Sequence, residues 1–155
     1  MLDLVLHFRL QVGKYMKRLH TSLTLKILVN EDPATQNVVG SMPEMDESDT
    51  RAAINAAASA FVSFRRTTGR ERARMLRQWH QLMLQNAQDL AKLITWENGK
   101  PLAESAGEIS YAASFLEWFA EEAPRINGDT IPASTNGNRI ITIKEPIGVC
   151  GLITP

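Results

Sequence analysis

The sequence predicts an α/β fold: a short β-hairpin, three amphipathic helices, then β-rich segments that open a parallel sheet. Three observations carry this. Between residues 46 and 124 apolar side chains recur every three to four positions, the period of one helix face. Residues 23–29 instead alternate Thr and Lys with Leu, Ile and Val, and residues 139–154 are β-rich, as strands are. Hydrophobic residues at 44% and charged residues at 22% lie near the values of ordinary soluble domains, so 155 residues suffice for one core.

Leu23–Val29 alternates Thr and Lys with Leu, Ile and Val and predicts the first strand. Asn30 to Thr35 predicts a turn, because Pro33 fixes φ and the Asp32 side chain can bond its own backbone. Asn37–Met42 is the expected returning strand, closed by Pro43. The first helix should start at Asp46 or Ser48, either of which can accept from first-turn amides, with Ala53, Ile54, Ala57, Phe61 and Phe64 on one face. The second starts at Thr68-Gly69-Arg70-Glu71, a capping box. Its stripe of Met75, Leu76, Trp79, Leu82, Met83, Leu90, Leu93 and Ile94 reads as continuous up to Gly99, a left-handed stop. Pro101 suits the first turn of the third helix, which carries Ile109, Ala112, Ala113, Leu116, Phe119 and Ala120 and ends at Pro124. Arg139–Lys144 and Ile147–Thr154 are the two later β-rich runs, split by Glu145-Pro146. The second would be the first strand of a parallel sheet whose remainder is absent, so truncation is the expectation.

Composition narrows the chemistry. Seventeen basic and seventeen acidic residues balance, which argues against a broad surface for nucleic acid. A single cysteine, Cys150, rules out a disulfide framework or thiolate zinc site within one chain. His7, His20 and His80 are widely spaced, and no metal is expected. No apolar stretch reaches the roughly 20 residues that span a bilayer. The first 26 residues carry His7, Arg9, Lys14, Lys17, Arg18, His20 and Lys26 against one acid, Asp3. A mitochondrial presequence is basic and acid-poor in this way. The few serines and the lack of an amphipathic arginine pattern favour a frayed end, and a cytoplasmic location over the mitochondrial alternative.

Catalytic machinery is nearly absent. Cys150 sits within Gly148-Val149-Cys150-Gly151-Leu152 and reads as a small hydrophobe on a buried strand. Glu97, Glu104 and Glu108 read as solvated helix faces, His80 as a core-edge or surface histidine, and Phe115, Trp118 and Phe119 as a helix face. Gly148-Val149-Cys150-Gly151 is no dinucleotide loop, since it neither follows a strand nor opens a helix.

Five segments in order, over residues 25–155, resemble the motifs of one known superfamily. Asp32-Pro33-Ala34-Thr35, then Val38-Val39-Gly40, resembles its N-P-A-T-G-E-V-[IV]-G turn, with Asp32 for Asn and Gln36 for Gly. Arg51-Ala52-Ala53-Ile54-Asn55-Ala56-Ala57 resembles its first helix, and Glu97-Asn98-Gly99-Lys100-Pro101-Leu102-Ala103-Glu104 its E-x-G-K-P-x-x-E. Trp118-Phe119-Ala120-Glu121-Glu122 with Gly128-Asp129 is similar to the approach to the oligomerisation strands. Glu145-Pro146-Ile147-Gly148-Val149, closing on Ile153-Thr154-Pro155, is similar to E-P-[VI]-G-V-x-x-x-I-T-P-W-N. Together they resemble the aldehyde dehydrogenase superfamily, and within it the wording is most similar to succinate-semialdehyde dehydrogenases.

The resemblance implies a partial cofactor-binding domain over residues 25–155, with residues 130–146 in the oligomerisation arm and Val149–Ile153 beginning the Rossmann-like sheet. Residues 1–24 are an atypical extension. It implies NAD or NADP as cofactor, hydride transfer from a thiohemiacetal, a small aldehyde as substrate and a homo-oligomer as the assembly. Ile153, Thr154 and Pro155 match cofactor-lining positions; no residue here matches a catalytic position. The oxyanion-hole Asn, the cofactor-contacting Lys, the glycine-rich turn, the Glu base, the nucleophilic Cys and the substrate-holding arginines would all lie beyond Pro155. The residue that separates NAD from NADP would lie there too. The expectation is a piece that binds cofactor poorly, turns nothing over, and exposes apolar helix faces prone to aggregation. The alternative is a non-catalytic interaction module whose strand edge at residues 139–144 docks on full-length subunits.

Overall fold

A computed structural model describes residues 27–153. The expectations for residues 1–24, for the start of the first strand, for His7 and His20, and for Thr154 and Pro155 lie outside the described residues. Strands β1 (Ile27–Glu31) and β2 (Val38–Pro43) form an antiparallel hairpin pairing Ile27 with Pro43 and Val29 with Ser41, with a bulge between Asn30 and Glu31. The Asp32 carboxylate accepts from the Ala34 amide at 2.8 Å and the Thr35 amide at 3.3 Å, as the turn signal required. The Ala34 amide holds that carboxyl below its ordinary value.

Gln36 takes φ 61°, the left-handed conformation that favours glycine, while its amide donates to the Asp32 carbonyl at 2.7 Å. A side chain there costs about 1–2 kcal/mol. Glycine would relieve that but loses about 0.5–1 kcal/mol to unfolded-chain entropy. Gln36→Gly should therefore raise stability by about 0.5–1 kcal/mol, and a denaturant midpoint that falls would contradict it.

Four helices follow, not three. Helix α1 (Glu47–Phe64) is capped by Asp46, which accepts from Ser48 N at 2.7 Å and Asp49 N at 3.2 Å, while Asp49 accepts from Asp46 N at 3.0 Å. None of its residues is buried; Ile54 and Phe64 stay half exposed. The expected stripe exists, but no described element covers it.

Helix α2 (Gly69–Gln85) starts at the Thr68–Glu71 capping box. The predicted continuous helix breaks at Asn86, and α3 (Ala87–Asn98) begins beyond it. There the Asn86 backbone N–H and side-chain amide both donate to the Leu82 carbonyl, at 3.1 and 2.8 Å, and φ opens to −109°. A side chain competing for a ladder carbonyl is a recognised cause of a kink. Gly99 ends α3 at φ 72°, against the Pro33 ring.

Pro101 directly precedes α4 (Leu102–Glu122), one position earlier than its expected place within the first turn. The face of α4 that packs on α2 and α3 carries Ser105, Ile109, Ala113 and Ala120, all buried. Ala112 and Phe119, expected on that face, point outward, Phe119 being 55% exposed. Ala73, Ala120 and Ala123 form the α2–α4 contact with Leu76 against them. Small side chains let the two backbones approach closely. A 3₁₀ turn, Ala123–Arg125, ends the helix where Pro124 requires it.

β3 (Thr130–Pro132) and β4 (Arg139–Ile141) then pair antiparallel, Ile131 opposite Ile140. β4 is shorter than the predicted Arg139–Lys144. Ile147–Ile153 forms no strand, correcting the expectation for that run; it is mostly exposed, Ile147 at 94%. A strand exists only with a ladder partner, and none is present among the described residues.

The α2 cap carries a pH signature. Donation by the Thr68 amide, then the Thr68 hydroxyl, at 2.7 and 2.8 Å, holds the Glu71 carboxyl below its ordinary 4.5. A depressed folded value means that the cap contributes fully above 4.5 and is lost as pH falls through the depressed value. In an acid titration followed by circular dichroism, Glu71→Gln should lose less helix than the parent chain. An unchanged acid limb would refute this.

Candidate functional site

Of the three residues expected to line a cofactor, Ile153 is described, and its side chain is fully exposed. The segment leading to it turns at Gly148, φ 123°, and makes no ladder. Cys150 is exposed, with Sγ 3.8 Å from the Gly148 carbonyl oxygen, so it is not the buried hydrophobe that the β-rich run predicted.

The other candidates sort by their partners. His80 on α2 donates from Nδ1 to the Ala113 carbonyl of α4 at 2.9 Å, which fixes its tautomer and ties the two helices. Half-buried at the core edge, it has a packing role. Glu97, Glu104 and Glu108 lie exposed, and Glu108 pairs with Lys100. That agrees with their reading as solvated faces. Tyr111 and Phe115 stack edge to face at 4.8 Å, and with Trp118 and Phe119 they line a shallow groove on the outer side of α4, rimmed by Glu117 and Glu121. Nothing described brings these groups together with Cys150 or Ile153. Among the described residues no group of His, Cys, Asp and Glu could hold a metal ion, and no helix is long and apolar enough to cross a membrane.

Two features escaped the sequence. Ser105 is wholly buried and shares a 3.0 Å hydrogen bond with Thr95, linking α3 to α4. Its signal was legible in principle, as a small polar residue four positions before Ile109 on the apolar stripe. Gly128 packs against the Thr142 carbonyl so closely that a Cβ would lie 1.8 Å from its oxygen. The Asp129 amide donates to the Thr142 hydroxyl at 2.8 Å and the Thr142 amide returns a bond to the Asp129 carbonyl at 2.8 Å, extending the β3–β4 hairpin.

The profile of the aldehyde dehydrogenase family matches residues 21–155. The chain is 55% identical over 132 residues to a glutarate-semialdehyde dehydrogenase of Pseudomonas aeruginosa, covering 85% of this chain and 27% of that protein. It is 56% identical over 124 residues to an NADP(+)-dependent succinate-semialdehyde dehydrogenase of Escherichia coli, covering 80% of this chain and 26% of that one. The crystal structure of succinate-semialdehyde dehydrogenase from Burkholderia pseudomallei superposes with a TM-score of 0.78 at 50% identity, over 81% of this chain and 26% of that structure. The chain thus spans about a quarter of the length of the relatives it matches.

Proposed function

The chain belongs to the aldehyde dehydrogenase family, and we propose that it is the N-terminal part of an NAD(P)-dependent enzyme that oxidises succinate semialdehyde to succinate in 4-aminobutyrate breakdown. One observation carries this reading: relatives more than half identical to it are named for semialdehydes that carry a second, carboxylate end. The dinucleotide, when bound, supplies the hydride acceptor. Ile153, Thr154 and Pro155 remain our candidates for contacting it, and the fully exposed Ile153 means that the rest of the pocket must come from elsewhere. The proposed part of this chain is architectural. α2, α3 and α4 form a packed scaffold, and the β3–β4 hairpin contributes to an oligomerisation arm.

The test is to assay a polypeptide of the relatives' length that carries these residues, with NAD and with NADP. Succinate semialdehyde should be preferred over glutarate semialdehyde, one methylene longer, by about 10–200-fold in kcat/KM. Preference for the longer aldehyde would move the assignment to it, and inactivity on both would sink the reading.

A second reading is a non-catalytic subunit that docks on full-length ones. It is favoured by the outward isoleucines of the arm, Ile140 at 46%, Ile141 at 70% and Ile143 at 74% exposed. Failure to co-purify with a co-expressed full-length enzyme would remove it. The proposed location is the cytoplasm; a reporter fused to residues 1–26 that enters mitochondria would overturn that.

A further inference from the structure

The chain contains three Asn-Gly pairs, Asn98-Gly99, Asn127-Gly128 and Asn136-Gly137, and the fold treats them very differently. This pairing is chemically weak because glycine has no side chain to keep its backbone nitrogen away from the preceding carboxamide. Whether the reaction proceeds then depends on two conditions. The backbone must be free to rotate, and the glycine nitrogen must be free to attack.

At Asn98-Gly99 neither condition holds. Asn98 is the last residue of α3, and the Gly99 amide donates to the Thr95 carbonyl at 2.9 Å. Gly99 also rests against the Pro33 ring, whose Cγ would lie 3.0 Å from a Cβ placed there. Asn127-Gly128 is held from both sides. The Asn127 amide donates to the Arg125 carbonyl at 2.9 Å, Gly128 packs on the Thr142 carbonyl, and the next residue, Asp129, is bonded twice to Thr142.

Asn136-Gly137 forms the central pair of the turn between β3 and β4, closed by the Asn138 amide donating to the Thr135 carbonyl at 3.3 Å. Gly137 has φ 90°, the glycine position of a type II turn, and nothing lies within 4 Å of where its Cβ would be. Both residues are exposed, the single bond closing the turn is long, and the arms it joins are short, three ladder pairs and the Asp129–Thr142 pair. Rotation about the backbone torsions flanking the Asn136–Gly137 peptide therefore breaks little.

We propose that Asn136 is a site of spontaneous deamidation, the one of the three Asn-Gly pairs that the fold leaves reactive. The Gly137 nitrogen forms a bond to Asn136 Cγ, and the carboxamide nitrogen leaves as ammonia, taking up the proton lost from the Gly137 amide. Water then opens the cyclic imide at either carbonyl, giving aspartate or isoaspartate. No oxidant or cofactor is needed. Both products add a negative charge at the tip of the hairpin. Isoaspartate also lengthens the main chain by one atom at the turn that sets the pairing of Ile131 with Ile140.

The experiment is to incubate the full chain in mildly alkaline buffer and follow each Asn-Gly peptide by mass spectrometry, with isoaspartate read by enzymatic methyl labelling. A parallel sample is held in concentrated urea. In the folded chain Asn136 should convert several-fold faster than Asn98 and Asn127, and urea should accelerate those two while leaving Asn136 unchanged. Asn136 converting no faster than the others when folded, or accelerating in urea as they do, would overturn the proposal.

Discussion

The 155-residue chain, purified alone, should yield no aldehyde-dependent reduction of NAD or NADP. Oxidising an aldehyde to an acid through a covalent intermediate needs a nucleophile, donors for the oxyanion and a base for the water that releases product. The chain's sole thiol, Cys150, has the Gly148 carbonyl oxygen as its neighbour at 3.8 Å, an acceptor that offers no positive charge. His80 is committed to the Ala113 carbonyl across the helix contact. Loss of an oxyanion donor alone typically costs about 10²–10³ in kcat, and loss of a general base about 10²–10⁴. Together these factors should carry the rate below detection. Two assays check this. The chain alone should match a protein-free blank, and Cys150→Ser in a polypeptide of the relatives' length should leave kcat/KM unchanged. Turnover by the chain that Cys150→Ser abolishes would show the thiol to be the nucleophile after all.

Gly69→Ala should destabilise the protein, against the usual sign of that substitution. At a helix start alanine ordinarily gains about 0.5–1 kcal/mol, because glycine loses more freedom on folding. At Gly69 the added carbon would lie 2.5 Å from the Ala123 carbonyl oxygen and 3.1 Å from both the Ala123 carbonyl carbon and Pro124 Cα. These are backbone atoms of the turn that ends α4, so none can swing aside as a side chain would. Forcing extra volume into a packed contact costs about 1–3 kcal/mol, and the net effect should be a loss of about 1 kcal/mol. Gly107, inside α4 with open space around its Cβ position, is the internal control. Gly107→Ala should stabilise by about 0.5–1 kcal/mol. Denaturant midpoints of both variants in the same protein would decide it, and a raised midpoint for Gly69→Ala would mean that α2 and the end of α4 do not approach so closely.

The features read correctly from the sequence are those closed within a few residues. Asp32 bonds amides two and three positions on, Thr68 and Glu71 cap each other, and Gly99 ends its helix at positive φ. The family was legible for a different reason, since five short segments in the correct order specify it even though each alone says little. The site was not legible as a site, because the residues that the resemblance assigns to the cofactor number only three and the described one, Ile153, stands in solvent.

Helix caps, the hairpin turn and family membership were thus determined by the sequence by itself, through bonds and motifs spanning a few neighbours. Which members of each expected face are inside was decided only by the tertiary structure. Phe119 fits the periodicity of α4 yet lies outside, while Ser105 lies wholly inside because α3 brings Thr95 against it. The stripe of α1 stays exposed, and the β-rich run from Ile147 forms no strand. Periodicity states what a segment could bury or pair; burial and pairing require a second surface, and its position is not encoded in the segment.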